Sequence, residues 1–91
     1  MAELAVRATG PHRFAVTVDG GGVSTAHEVA VPEGLTETLG IDGREEEALV
    51  LASFEFLLAR EPASSILRQF DLDVIERYFP GYVDEMRQRF V

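Results

Sequence analysis

The sequence predicts an α+β fold: a three-stranded antiparallel β-meander at the N-terminus, packed against one long central helix and two or three shorter C-terminal helices. Three observations predict it. Apolar and polar residues alternate with period two through residues 3–31, in runs separated by turns that carry Gly and Pro; half-buried strands read this way. Residues 48–59, Ala-Leu-Val-Leu-Ala-Ser-Phe-Glu-Phe-Leu-Leu-Ala, are too apolar on too many sides for an ordinary surface helix. Beyond residue 62, prolines and capping residues cut the chain into short helical pieces.

The first strand is expected over about 3–9, where Leu4, Val6 and Ala8 alternate with Ala5, Arg7 and Thr9. Gly10-Pro11-His12 supplies a turn. The second is expected over 13–19, with Phe14, Val16 and Val18 against Arg13, Ala15, Thr17 and Asp19. Asp19-Gly20-Gly21-Gly22 is a second turn signal, because glycine reaches positive φ without a Cβ penalty. The third strand, about 25–31, places His27, Val29 and Val31 on one side and Glu28 and Ala30 on the other. Short connections favour antiparallel pairing. The opposite face of this sheet, Ala5, Arg7, Ala15, Thr17, Glu28 and Ala30, is small and mildly polar and meets water, another sheet or a peptide.

Pro32 closes the sheet, and residues 32–39 are expected to form one short helical turn that ends at Gly40. Asp42 is a candidate N-cap, and Glu45, Glu46 and Glu47 fall in the first turn of the long helix, where carboxylates favour the positive end of its dipole. That helix is expected over about 44–60, stopped by Pro62. On a helical wheel Val50, Leu51, Phe54, Leu57 and Leu58 form the stripe for the sheet. Leu49 and Phe56 make an apolar flank, and Ala48, Ala52, Glu55 and Ala59 lie opposite. Further helices are expected over about 65–70, capped by Ser64 or Ser65; over 72–79, capped by Asp71; and over 81–90, with Pro80 in its first turn.

Length and composition bound the rest. Ninety-one residues make one domain, 1–91, with a modest core. There is no Cys, which removes disulfides and thiolate chemistry and fits a cytoplasmic location. Sixteen acidic residues stand against eight Arg and no Lys, a net charge of −8. That balance opposes nucleic-acid binding and attachment to an anionic membrane. The N-terminal residues do not read as a signal peptide, and no run approaches the ~20 apolar residues of a membrane span.

No catalytic constellation, cofactor motif or metal-ligand spacing is expected. His27 stands on the apolar side of its strand, where it is either a satisfied core histidine or a ligand at the sheet's end. The glycine run lacks the following helix and the Gly-Lys-Ser/Thr ending of a phosphate loop. Asp71, Asp73 and Glu76 lack the further oxygen ligands of a hard-cation loop. A helix-turn-helix over 66–79 would present Asp73 and Glu76 to phosphates. Arg68 is expected to clamp a helix corner through Asp71 and Glu61, or to meet an anionic ligand. His27, Arg68 and Tyr78 are the candidate ligand-binding residues. Leu49, Phe56, Phe79, Tyr82 and Phe90 are the candidate interface, because surplus apolar helix surface invites a twofold partner.

The run Ser53-Phe54-Glu55-Phe56-Leu57-Leu58-Ala59-Arg60-Glu61-Pro62, with Ser65 to Ile75 and Tyr78-Phe79-Pro80, resembles a group of small bacterial proteins of unassigned function. The resemblance covers most of the chain and implies a cytoplasmic protein with no established activity. The order of strands then helices is also loosely like small antitoxin-type domains, a likeness of fold alone. The function expected is a non-catalytic protein-interaction or regulatory module, a homodimer with a possible protein partner, binding neither nucleic acid nor membrane. One alternative is a small-ligand-binding protein or enzyme with a pocket between sheet and helices. The other is an antitoxin-like or DNA-binding regulator, which the acidic charge opposes.

Overall fold

The computed structural model describes residues 3–20 and 22–90. Gly21, part of the expected hairpin turn, lies outside them, as do Met1, Ala2 and Val91. Strands β1 (Glu3–Gly10), β2 (Arg13–Gly20) and β3 (Val23–Ala30) form an antiparallel meander. A fourth strand, β4 (Gln69–Asp71), joins β3 in parallel, giving the order β1-β2-β3-β4. Helices α1 (Leu35–Leu39), α2 (Glu46–Leu58), α3 (Val74–Tyr78) and α4 (Tyr82–Arg89) complete the described residues.

Period-two alternation sorts the sheet into two faces. Val16 stands between Val6 and His27, and Phe14 beside Val29, which in turn faces Phe70 of β4. These side chains point toward the helices. The far face carries Ala5, Arg7, Ala15, Thr17, Glu28 and Ala30, none of them buried. The β1–β2 turn reaches across to α2. His12, in the left-handed region at φ 58°, places its Nδ1 2.6 Å from Glu46 Oε2, and its carbonyl accepts the Val31 N–H at 2.8 Å.

α1 buries Leu35 and Leu39 and ends at Gly40, whose φ of 72° is the left-handed cap that glycine adopts without strain. Asp42 Oδ1 then accepts the Arg44 N–H at 2.9 Å, starting a 3₁₀ turn over Gly43–Glu45 that leads into α2. The helix expected over 44–60 is therefore this turn followed by 13 α-helical residues. Its buried set also differs from the expected stripe. Leu51 is 37% exposed, whereas Ala52, placed on the outer stripe, is buried. The reason is that α2 is covered on two sides. Phe54 faces the sheet, with its ring 5.3 Å from His27 and 6.0 Å from Phe70. Ser53 and Phe56 face Tyr82 of α4. Glu47, Ala48, Leu51 and Glu55 are left to solvent, a stripe at helical spacing.

The helix expected over 65–70 is not formed. Ala63–Ser65 make a 3₁₀ turn, Ile66 is extended at φ −76° and ψ 134°, and the chain runs on as β4. The Glu28 N–H donates to the Arg68 carbonyl at 2.7 Å, and the Leu72 N–H to the Ala30 carbonyl at 3.0 Å. In the extended form this segment supplies backbone partners to the second edge of β3, which a helix over 65–70 could not do. From Gln69 the segment follows a strand's alternation, with Phe70 and Leu72 turned inward between exposed Gln69, Asp71 and Asp73. Consequently Asp71 lies in β4 and does not cap the following helix, whose N-cap position is Asp73. Pro80 precedes the N-cap of α4, which is Gly81. The Glu76 carboxylate serves that end instead, accepting the N–H groups of Gly81 (3.2 Å) and Val83 (3.0 Å).

Candidate functional site

The absence of a helix at 65–70 opens a groove of about 330 Å³ between the end of α2, the segment entering β4, and α3. Leu57, Ile66 and Ile75, all buried, form its floor. Leu67, Phe70, Val74, Tyr78 and Phe79 form its walls. Each wall residue is placed by local structure. Ile66 and Leu67 are successive residues of an extended segment, so one points into the core and the other stays outside. Val74 and Tyr78 are four apart on α3 and share a face. Tyr78 is 67% exposed and Leu67 49%, large apolar surfaces left to water. The polar groups along the groove are the Glu61 carboxylate, the Ser65 hydroxyl and the Tyr78 hydroxyl. Such a lining can seat apolar side chains and offer a carboxylate to a cationic neighbour.

The candidate ligand-binding residues do not converge on this groove. Tyr78 lines it; His27 and Arg68 do not. His27 is buried on the inner face of the sheet. Its Nδ1 lies 2.8 Å from the Leu67 carbonyl, which can only accept, so Nδ1 carries a proton. Its Nε2 lies 2.9 Å from Thr25 Oγ1 and, in the neutral ring, accepts that hydroxyl's proton. Both ring nitrogens are thus occupied: Nδ1 ties the groove segment to β3, and the Thr25 contact holds the ring in place from within that strand. Arg68 is exposed and pairs with neither Asp71 nor Glu61, so the expected corner clamp is absent.

The candidate interface divides. Leu49, Phe56 and Tyr82 are at most 1% exposed and lie in this chain's own core, contrary to the expectation that they remain for a partner. α4 covers them. Phe56 meets Tyr82 edge-on at 5.4 Å and Phe79 at 6.2 Å, and the Arg60 guanidinium stacks 3.6 Å over its ring centre. The Tyr82 hydroxyl lies 2.7 Å from Ser53 Oγ. Ser53 in turn donates to the Leu49 carbonyl at 2.7 Å, so Tyr82 is the donor of the first bond. Burial, which disfavours the phenolate, pushes the Tyr82 hydroxyl up to about 12. Phe79 and Phe90 are half-buried, and of these Phe79 lines the groove.

Leu67, Phe70 and Glu61 line the groove without having been singled out for it. A helix over 65–70 would turn Leu67 and Phe70 into a helical apolar face, and the alternation of Ile66, Phe70 and Leu72, broken by exposed Arg68, is too faint a signal to set against it. Comparison with protein-family models, curated proteins and solved structures finds no match for this chain.

Proposed function

We propose that this chain is a non-catalytic interaction module that self-associates and takes an apolar, basic-flanked segment of a partner protein in the groove between α2 and α3. The observation that carries this reading is the groove itself, whose walls leave Leu67 and Tyr78 exposed around an apolar floor. Soluble chains seldom expose large apolar side chains side by side unless something covers them. The lining is open and poor in polar groups, which suits apolar anchors of a helix or extended segment better than a small polar substrate. Glu61 at the groove and a net charge of −8 favour Lys or Arg beside those anchors. No cofactor enters the reading. The alternative of a small-ligand pocket built by His27, Arg68 and Tyr78 is less favoured, because Tyr78 lines the groove without His27 or Arg68 among the described residues.

Selection from a random-peptide display library against the folded protein tests it. The selected peptides should carry two large apolar side chains at i, i+3 or i, i+4 with Lys or Arg beside them. Leu67→Asp and Tyr78→Asp should each weaken them by about tenfold or more, as loss of an interface anchor does. Thr17→Asp, on the far face of the sheet, should leave them unchanged. Peptides indifferent to both groove substitutions, with folding verified by circular dichroism, would refute the assignment.

A further inference from the structure

β1 is the end strand of the sheet and pairs only with β2 among the described residues. Its other edge therefore presents a row of backbone donors and acceptors. Exposed edges are ordinarily blunted by Pro, Lys, a central bulge or a covering element. Here the register shift lies at Ala8/Gly10, past the turnward end, so Glu3 to Arg7 is regular strand without Pro or Lys.

Those five residues, Glu3-Leu4-Ala5-Val6-Arg7, match themselves when two copies run in opposite directions. Centred on Ala5, an antiparallel pair sets Leu4 against the partner's Val6 on the helix-covered face. On the open face it sets Glu3 against the partner's Arg7, and Ala5 against the partner's Ala5. Symmetry repeats the Leu4–Val6 and Glu3–Arg7 matches on the other side of the axis. An axis through Val6 instead sets Glu3 against Thr9 and Arg7 against Ala5, and no opposite charges face each other. The single chain leaves both charges in need of a partner. Glu3 is directly opposite Asp19 in β2, a like-charge pair across the ladder. Neither Glu3 nor Arg7 forms an ion pair among the described residues. Leu4 and Val6 are only half-buried at the rim of the core.

We infer that two copies of this chain pair β1 to β1 about a twofold axis through Ala5, joining two four-stranded sheets into one continuous sheet. The inference rests on the self-association in the reading above and is independent of the groove.

The chain has no cysteine, so Ala5→Cys introduces its only thiol. Directly opposed residues of an antiparallel pair have Cα atoms about 4.5–5.5 Å apart, within disulfide range. Mild oxidation should therefore convert Ala5→Cys to a covalent dimer. Arg7→Cys should form no covalent dimer in the same oxidant, since four residues of offset separate the two thiols by roughly 14 Å. In sedimentation experiments Glu3→Arg and Arg7→Glu should each weaken the dimer by roughly tenfold, because each sets like charges opposite at two places. Combining Glu3→Arg with Arg7→Glu should restore wild-type affinity, which a merely unfolded variant would not do. Equal cross-linking of Ala5→Cys and Arg7→Cys would overturn the register. A dimer dissolved by Tyr78→Asp, with Ala5→Cys uncross-linked, would overturn the β1 interface while leaving self-association intact. A wild-type monomer at high micromolar concentration would overturn both and leave the groove reading standing.

Discussion

Two hydrogen-bonded chains cross the interior, built alike and set at different depths. In one, the Tyr82 hydroxyl donates to Ser53, which donates to the Leu49 carbonyl of the same helix. In the other, Thr25 Oγ1 meets His27 Nε2, and His27 Nδ1 donates to the Leu67 carbonyl 40 residues away in the sequence. Each ends on a backbone carbonyl, which makes Ser53 and His27 Nδ1 the donors of the final bonds. The first is dry: Ser53 and Tyr82 are 0% exposed. It locks α4 against α2 and closes the side of α2 that would otherwise need another chain. The second lies where the β4 segment meets β3, and Thr25 is only half-buried. It holds in place the extended stretch that forms one wall of the groove. The deep chain supports the whole fold, and the shallow one supports the surface through which we propose the protein works.

The comparison breaks most violently at Tyr82. Tyr82→Ala empties a fully buried aromatic site beside Phe56 and should cost about 3–5 kcal/mol of global stability in denaturant titrations. Tyr82→Phe keeps the ring and should cost about 1 kcal/mol. Ser53→Ala should cost more than that, about 1–3 kcal/mol, because it leaves the buried Tyr82 donor without an acceptor.

The deep chain also has a pH signature. The unfolded tyrosine ionises near 10.0, whereas Tyr82 in the folded chain holds its proton to about 12. Between those values the native state binds more protons than the unfolded state, so stability falls as pH rises. Below pH 10 both states are neutral and this slope vanishes. The full span amounts to about 2–3 kcal/mol. With no Lys in the chain and Arg protonated throughout, few other groups titrate in that window. Thermal or urea unfolding from pH 9 to 12 should show this alkaline decline in the wild type. Tyr82→Phe should lose less stability over the same range; equal declines would contradict the assignment.

At the shallow chain the effect should be smaller and local. His27→Ala frees the Leu67 carbonyl and should cost about 1–3 kcal/mol. Hydrogen exchange reports where. The amides of Glu28 and Leu72, which bridge β3 and the β4 segment, should lose protection more than those of β2. Peptides selected for the groove should weaken in parallel. A uniform loss of protection would mean that His27 acts as an ordinary core residue.

These contrasts explain what was legible in the amino-acid sequence. The three N-terminal strands, the Gly40 stop and the Asp42 cap each carry a local signal of alternation, positive φ or side-chain oxygen. β4 carries almost none, because three residues are too few for a period and its partner β3 is remote in the chain. Helix α2 was recognisable as buried, but a segment apolar on most sides cannot say which side stays wet; α4 decides that, and Leu51 and Ala52 exchange roles accordingly. Alternation alone puts His27 on the inner face, yet its partner is a backbone carbonyl, which no residue type announces. The groove was invisible for the combined reason: its walls come from the segment whose conformation depends on β3 and His27.

Thr25→Val gives the finest test of depth as the difference between the two chains. The substitution keeps shape and strand preference while deleting the hydroxyl that meets His27 Nε2 at 2.9 Å. In a dry interior an orphaned nitrogen would cost its full desolvation. Beside a half-buried strand position, water can replace the hydroxyl. Thr25→Val should therefore cost less than Ser53→Ala, about 0.5–1 kcal/mol, with the amides of Glu28 and Leu72 again the most affected. A cost equal to that of Ser53→Ala would show that His27 Nε2 is as isolated from water as the Tyr82 hydroxyl. The groove wall would then be as firmly held as the core behind it.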